Sequence, residues 1–94
     1  MKINFYTLFD KKAVVFSSPF ASANDVFAIR AVTNIANDLS HSVGQFPADF
    51  GLFKIGTFDD ANGSFEPHTP VFITEVISLV YKKSPELPLE PVQE

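Results

Sequence analysis

Residues 49–58 read DFGLFKIGTF, and residues 59–67 continue as DDANGSFEP. The first run is rich in β-branched and aromatic types, which is typical of a strand. The DDANG stretch is a turn, because Asn and Gly take positive φ at little cost. The segment therefore predicts a β-hairpin whose returning strand, SFE, ends at Pro67. Gly51 and Gly56 inside the first strand indicate a bulge, or a place where a second backbone or a bulky ring comes close.

A second hairpin is predicted at the N-terminus. Residues 3–9 (INFYTLF) and 13–17 (AVVFS) have strand composition, and the polar residues 10–12 between them have hairpin-loop length. Alternation places two sets of side chains on opposite faces of the first strand: Ile3, Phe5, Thr7 and Phe9 on one, and Asn4, Tyr6 and Leu8 on the other. Both sets are largely apolar, so we expect this strand to be covered on both sides.

One helix is predicted from Ala23 to about Ala36, with Ser22 as its N-cap and Asp25 in its first turn. Apolar residues recur at three-residue spacing along it, at Val26, Ile29, Val32 and Ile35, and this stripe is expected to pack on the sheet. Residues 38–48 mix turn-forming and helix-stopping types, so we predict a loop that contains His41.

The segment from Thr69 to Tyr81 has two interpretations. A helical wheel gathers its apolar residues on one arc: Phe72, Ile73, Val76, Ile77, Leu79 and Val80. Strict strand alternation would instead place Glu75 among apolar residues, and Thr69-Pro70 suits the start of a helix. We therefore predict a second, C-terminal helix over residues 70–81, with a strand as the alternative.

These elements predict an α+β fold, in which two β-hairpins form an antiparallel sheet and one helix packs across it. Residues 1–83 are expected to form a single domain. Residues 84–94, SPELPLEPVQE, hold three Pro and three Glu and are expected to form an extended or disordered tail.

The composition indicates a protein that needs a partner. The 94 residues are 46% hydrophobic and include eleven Phe, a heavy apolar load for so small a domain. Part of this surface is expected at a subunit interface, with a homodimer as the first expectation. There is no Cys, and neither a signal peptide nor a membrane span is apparent, so we expect a cytoplasmic protein without a membrane partner.

The charge disfavours binding to duplex DNA. The net charge is −4, and residues 1–83 carry seven basic and eight acidic side chains, whereas duplex binders usually show a basic face. Single-stranded DNA remains a candidate partner, because bases stack on aromatic rings with few cations beside them. The candidate nucleic-acid-binding residues are Lys2, Lys11, Lys12, Arg30, Lys54, Tyr6 and Phe53.

No constellation of residues predicts an enzyme. His41 and His68 lie in predicted loops without a motif for metal binding or for a general base, and the acidic residues near the DDANG turn do not match the spacing of a calcium loop. No glycine-rich phosphate loop is present. We therefore expect no catalytic residues, no metal and no cofactor.

The chain resembles a known family, the small non-structural protein of gokushoviruses, which are single-stranded-DNA phages of the Microviridae. The resemblance lies in Met1-Lys2, YTLFDKKA at 6–13, Pro19-Phe20, NDVFAIRAV at 24–32 and FPADFGLFKIGTFDDANGSFEP at 46–67. It covers about half of the chain and ends at Pro67.

The resemblance implies a non-enzymatic protein that is made in the cytoplasm of the infected bacterium and is absent from the mature virion. By analogy with the small protein C of other microviruses, it implies a role at the switch to single-stranded DNA synthesis or packaging, by binding single-stranded DNA. The alternative function is a protein-binding adaptor that contacts the phage replication initiator, the capsid precursor or a host factor.

Overall fold

The computed structural model describes residues 1–81 and shows an antiparallel sheet with one main helix. The strands are β1 (Lys2–Asp10), β2 (Val15–Phe16), β3 (Phe20–Ser22), β4 (Phe50–Asp59) and β5 (Ser64–Glu75). The helices are α1 (Asp25–Ala36) and α2 (Ser42–Gln45), and two 3-10 turns span Pro47–Asp49 and Val76–Leu79. The predicted α+β class, the antiparallel sheet and the packed helix are confirmed.

The sheet has the strand order β2-β1-β4-β5, and β3 also pairs with β1. All pairings are antiparallel. On one edge of β1, β2 pairs with its C-terminal end and β3 with its middle, while β4 runs along the other edge from Lys2 to Asp10. Both predicted hairpins are therefore present, and β1 and β4 are the central strands.

Helix α1 packs on one face of the sheet and forms the core there. Its residues Ala28, Val32 and Ala36 are buried against the sheet side chains Tyr6, Leu8 and Leu52. Val43 of α2 and Val76 of the last 3-10 turn complete this cluster. The helix covers only one of the two apolar faces that alternation predicts for β1.

The start of α1 differs from the prediction. Its N-cap is Asn24, whose side chain accepts the N–H of Phe27 at 3.0 Å. Ser22, the predicted cap, is the last residue of β3 and lies opposite Asn4 of β1. The chain is thus still paired with the sheet at Ser22, which delays the helix by two residues.

The predicted loop at residues 38–48 is partly helical. It contains α2, which His41 caps by accepting the N–H of Val43 at its Nδ1 atom, 3.1 Å away. The 3-10 turn Pro47–Asp49 begins at the proline, whose fixed φ suits the first helical position. His41 is therefore the N-cap residue of α2.

The predicted C-terminal helix over residues 70–81 is wrong. The strand β5 continues through Pro67 and Pro70 to Glu75, and only Val76–Leu79 forms a helical turn. Proline is tolerated in β5 because this strand pairs with β4 alone. The N–H groups on its outer edge have no partner strand, so a proline there removes no hydrogen bond of the sheet. His68, predicted in a loop, also lies in this strand.

A register shift explains why alternation misled the prediction. The pairing skips Ile73, since Leu52 lies opposite Thr74 while Phe53 lies opposite Phe72. This irregularity changes which side chains share a face: Glu75 lies on the opposite face from Val71, at the end of the sheet, where it pairs with Lys11. The predicted tail at 84–94, and with it the domain boundary at residue 83, lies outside the described residues.

Candidate docking surface

The face of the sheet opposite α1 carries seven phenylalanine rings. The β1 side chains at odd-numbered positions point to this side, and the register places their neighbours with them: Phe9 lies opposite Phe16, Thr7 opposite Phe53, and Ile3 opposite Phe58. Phe72 and Phe65 of β5 lie opposite Phe53 and Phe58. We call the seven rings the phenylalanine face: Phe5, Phe9, Phe16, Phe53, Phe58, Phe65 and Phe72.

The rings form two clusters. In the first, the centroid of Phe5 lies 6.3 Å from that of Phe58 and 5.3 Å from that of Phe65. The second cluster holds four rings, with centroid distances from 4.7 to 6.3 Å: Phe9, Phe16, Phe53 and Phe72. Most contacts within the clusters are edge-to-face, an arrangement that stabilises neighbouring rings.

Glycines on β4 make room for these rings. A Cβ atom on Gly56 would lie 2.6 Å from the ring of Phe65, and a Cβ atom on Gly51 would lie 3.3 Å from the ring of Phe53. The sequence-based interpretation of Gly51 and Gly56 is confirmed for the close approach of a ring. At Gly56 the carbonyl of Glu66 comes close as well.

The face remains accessible to solvent. The side chains of Phe16, Phe65 and Phe72 are 46%, 45% and 51% exposed, and the other four rings are partly buried. A large exposed apolar patch on a small protein marks a site of interaction.

The two faces of the sheet differ in a way that supports this interpretation. The face that carries Tyr6 and Leu8 is apolar where α1 covers it. Beyond the helix, towards the tip of the β4–β5 hairpin, the same face becomes polar at Asn4, Thr57 and Glu66. The phenylalanine face stays apolar from this tip as far as Glu75 at its other end.

Charge is sparse on the phenylalanine face. Glu75 lies at one end of it, opposite Gly51, and accepts a hydrogen bond from Nζ of Lys11 at 2.6 Å. Both side chains of this ion pair are partly exposed, so it contributes little to stability. The ion pair marks the border of the surface.

The five predicted cationic residues do not form one patch. Lys2 and Lys11 lie at opposite ends of the nine-residue β1 and its turn, about 30 Å apart at 3.3 Å per residue. Lys12 shares the exposed turn with Lys11. Lys54 and Arg30 lie on the helix side: Nζ of Lys54 is 3.6 Å from the carboxylate of Asp25, and the guanidinium of Arg30 is 5.9 Å from the ring centroid of Phe27.

The two predicted aromatic residues lie on opposite faces. Phe53 belongs to the phenylalanine face and contacts three other rings. Tyr6 is fully buried under α1, with its ring stacked on that of Phe20 at 5.8 Å. A buried ring cannot stack on a base, so Tyr6 is corrected from a binding residue to a core residue.

Tyr6 instead joins the sheet to the start of α1. Its hydroxyl donates a hydrogen bond of 2.5 Å to Oδ1 of Asp25 and accepts one of 3.1 Å from Nδ2 of Asn4. Burial, together with the hydrogen bond to Asp25, raises the pKa of Tyr6 to about 12. The phenol therefore stays protonated at neutral pH and acts as a structural donor.

A groove lies on the helix side of the described residues. It has a volume of about 590 Å³ and is lined mainly by apolar side chains, among them Phe20, Val32, Ile35 and Phe50. Its polar lining comes from three serines and His41. The Nδ1 atom of His41 accepts the N–H of Val43 to cap α2, and no carboxylate is among the described residues that line this groove.

Sequence reasoning missed Phe16, Phe65 and Phe72 as surface residues. The helical wheel placed Phe72 in the core, whereas the strand places it on the phenylalanine face. The register of β4 and β5 is the signal that would have assigned it correctly.

The fold and its surface define a small α+β protein with one covered and one uncovered sheet face. A family model described as "Phage ORF5 protein" matches residues 3–79, and the chain belongs to this family. It is therefore a phage protein. The match extends past Pro67, where the resemblance noted in the sequence ends. No curated protein and no solved structure matches the chain.

Two further observations concern the described residues. No helix within residues 1–81 has the length and apolar character needed to cross a membrane. In the same part of the chain, no group of three or more His, Asp and Glu side chains is placed to hold a metal ion.

Proposed function

We propose that this phage protein is a non-enzymatic adaptor that binds another protein on its phenylalanine face. The single observation that carries the proposal is that the sheet face opposite α1 stays apolar from the tip of the β4–β5 hairpin as far as Glu75, with three of its rings about half exposed. Burying such a surface against a partner is favourable, at about 25 cal/mol for each Å² of apolar area removed from water.

The biological setting of the proposal comes from the resemblance to gokushovirus proteins. We place the adaptor in the cytoplasm of the infected bacterium, outside the mature virion, where it assists the switch to single-stranded DNA synthesis or packaging. Its partners in this role are the phage replication initiator, the capsid precursor or a host factor.

Two neighbouring residues provide a matched pair of test variants. Phe72 and Val71 are adjacent in β5 and are 51% and 49% exposed, but Phe72 lies opposite Phe53 on the phenylalanine face and Val71 lies opposite Lys54 on the helix face. Phe72→Lys introduces a charge into the proposed surface, and Val71→Lys introduces the same charge beside it.

The experiment is co-purification from infected cells of the full chain and both variants, before and after nuclease treatment. The proposal predicts that a phage or host protein co-purifies with the unsubstituted chain and with Val71→Lys, also after nuclease treatment. It predicts that this protein no longer co-purifies with Phe72→Lys. Equal recovery with both variants, or loss of the partner on nuclease treatment, would contradict it.

Single-stranded DNA is a second candidate partner, favoured by one observation. The four-ring cluster lies at the end of the sheet next to the turn that carries Lys11 and Lys12, so stacking rings and two cations are near one another. Anisotropy titration with single-stranded oligonucleotides at low salt tests it. Binding at concentrations on the order of tens of micromolar, weakened by salt and by Lys12→Ala, supports this candidate, and no binding eliminates it.

A further inference from the structure

We infer that, in the absence of another partner, two copies of this chain pack sheet against sheet through the phenylalanine face, an inference that rests on the proposed role of this face in binding protein. The helix faces then point outward on both subunits. Two sheets that pack face to face lie about 10 Å apart, with their side chains interdigitated.

The size of the face suits a dimer. Strand β4 has ten residues and is about 33 Å long, and four strands side by side are about 19 Å wide. This footprint is about 600 Å². Stable interfaces bury about 600–1,000 Å² on each partner, so one face of this sheet reaches the lower end of the area that a dimer needs.

The charge of the face also suits a second copy. Its one ion pair within the described residues, Lys11 with Glu75, lies at the border and stays partly exposed when two faces meet. The interior of the face carries rings together with Ile3 and Thr7. Two such surfaces join without burying an unpaired charge, whereas a nucleic acid needs cations along its path.

The arrangement of the rings is compatible with two-fold symmetry. The three-ring cluster is level with Ile3 and Phe5 along β1, and the four-ring cluster is level with Thr7 and Phe9. A two-fold axis between the levels of Phe5 and Thr7 would set each cluster of one copy against the other cluster of its partner. Such an isologous interface is the commonest form of homodimer.

The place where the described chain ends argues against the chain's own C-terminal segment as the occupant. The N–H of Tyr81 donates to Oδ1 of Asn37 at 2.8 Å, and Asn37 is the C-cap of α1. The described part of the chain therefore ends on the helix side of the sheet, away from the phenylalanine face.

The first test is the mass of the full chain in solution over a range of concentrations, by sedimentation equilibrium. The inference predicts a species of twice the 10.4 kDa chain mass at high concentration. It also predicts that Phe72→Lys raises the dimer dissociation constant about thirtyfold or more, as expected for loss of an aromatic anchor, while Val71→Lys leaves it unchanged. A monomer at every concentration, or equal effects of the two variants, would overturn it.

The second test uses the absence of Cys from the chain. Single Phe72→Cys and Val71→Cys variants are labelled with a maleimide at low and high protein concentration. The inference predicts that the thiol at position 72 becomes protected as concentration rises and that the thiol at position 71 does not. Protection at position 72 that is independent of concentration would show that the chain's own segment covers the face, and would overturn the inference.

The two tests separate this inference from the proposed function. A monomeric chain that still loses its nuclease-resistant partner on Phe72→Lys would overturn the dimer and support the adaptor. A dimer that depends on Phe72, with no other protein partner in infected cells, would support the dimer and contradict the adaptor.

Discussion

The ring of Phe65 lies over Gly56 on the neighbouring strand, so closely that a Cβ atom at position 56 would stand 2.6 Å from Cζ of the ring. The same Cβ atom would be 2.8 Å from the carbonyl oxygen of Glu66, which belongs to the backbone of β5. The ring can turn away, but the backbone cannot move without disturbing the pairing of the two strands.

Gly56→Ala is therefore expected to lower the free energy of unfolding by about 1–3 kcal/mol, the usual cost of overpacking. Gly51→Ala is the control, because its Cβ atom would meet only ring carbons of Phe53 and Phe72, at 3.3 and 3.8 Å. We expect a loss below about 1 kcal/mol there. Urea unfolding of both variants measures the difference, and equal losses would contradict this account of Gly56.

The buried phenol of Tyr6 predicts a loss of stability at alkaline pH. The pKa of this hydroxyl is raised from its ordinary value of 10 to about 12 in the folded protein. The folded state thus holds the proton more tightly than the unfolded state, so the associated stability is present below pH 10 and is lost as pH rises from 10 through 12. Its size is on the order of 2 kcal/mol.

Tyr6→Phe removes this pH dependence and two hydrogen bonds. At pH 8 we expect it to lower the free energy of unfolding by about 1–2 kcal/mol. The difference in the free energy of unfolding between the original chain and Tyr6→Phe should then narrow from pH 10 to pH 12. Both proteins contain the same lysines, so the effect of lysine titration cancels in this difference. Tyr81→Phe, at an exposed position, is the control. A gap that stays constant over this range would contradict the assignment.

Asn37 joins the end of α1 to the last described residues. Its Nδ2 atom donates to the carbonyl oxygens of Thr33, at 2.7 Å, and Leu79, at 3.1 Å, and its Oδ1 atom accepts from the N–H of Tyr81. Asn37→Ala is expected to destabilise the protein by about 1–2 kcal/mol. Asn34→Ala, on the exposed side of the same helix, should have no measurable cost, because Ala is a better helix former. Thermal unfolding of Asn37→Ala and Asn34→Ala tests this expectation, and equal shifts of the unfolding temperature in the two variants would contradict it.

Each hairpin turn contains one residue with positive φ, but the residue is a valine in one turn and a glycine in the other. Val14, in the turn between β1 and β2, has φ of 57°, which is strained for a β-branched side chain, whereas Gly63 has φ of 75° in the turn between β4 and β5. Val14→Asn is expected to stabilise the protein by about 1 kcal/mol, since Asn tolerates this conformation. Gly63→Val should destabilise it by about 1–2 kcal/mol. Denaturant midpoints test both signs, and a loss of stability in Val14→Asn would contradict the argument.

Much of the fold follows from local sequence patterns. The strand composition around Phe5 and Phe53 and the DDANG turn predict both hairpins, and the three-residue spacing from Val26 to Ile35 predicts α1. These signals are strong because they lie within single elements and need no knowledge of what pairs with them.

The rest depends on contacts between distant residues. Whether residues 69–75 form a helix or a strand is decided by the open edge of β4, which Val71 and Thr74 satisfy by pairing with Lys54 and Leu52. The phenylalanine face has the same origin: alternation in β1 predicts only its Phe5 and Phe9, and the register of β5 adds Phe65 and Phe72. Binding residues chosen by type alone place Tyr6 at the surface, although the fold buries it.

Radical footprinting of the protein inside infected bacteria, read ring by ring by mass spectrometry, tests whether the phenylalanine face is covered in the cell. Phe27 and Phe46, on the helix and the following loop, are 51% and 59% exposed and serve as internal controls for Phe72, at 51%. If the phenylalanine face is a docking surface, Phe72, together with Phe16 and Phe65, will be oxidised much less than the two controls. Oxidation of all five rings in proportion to their exposure would contradict the account.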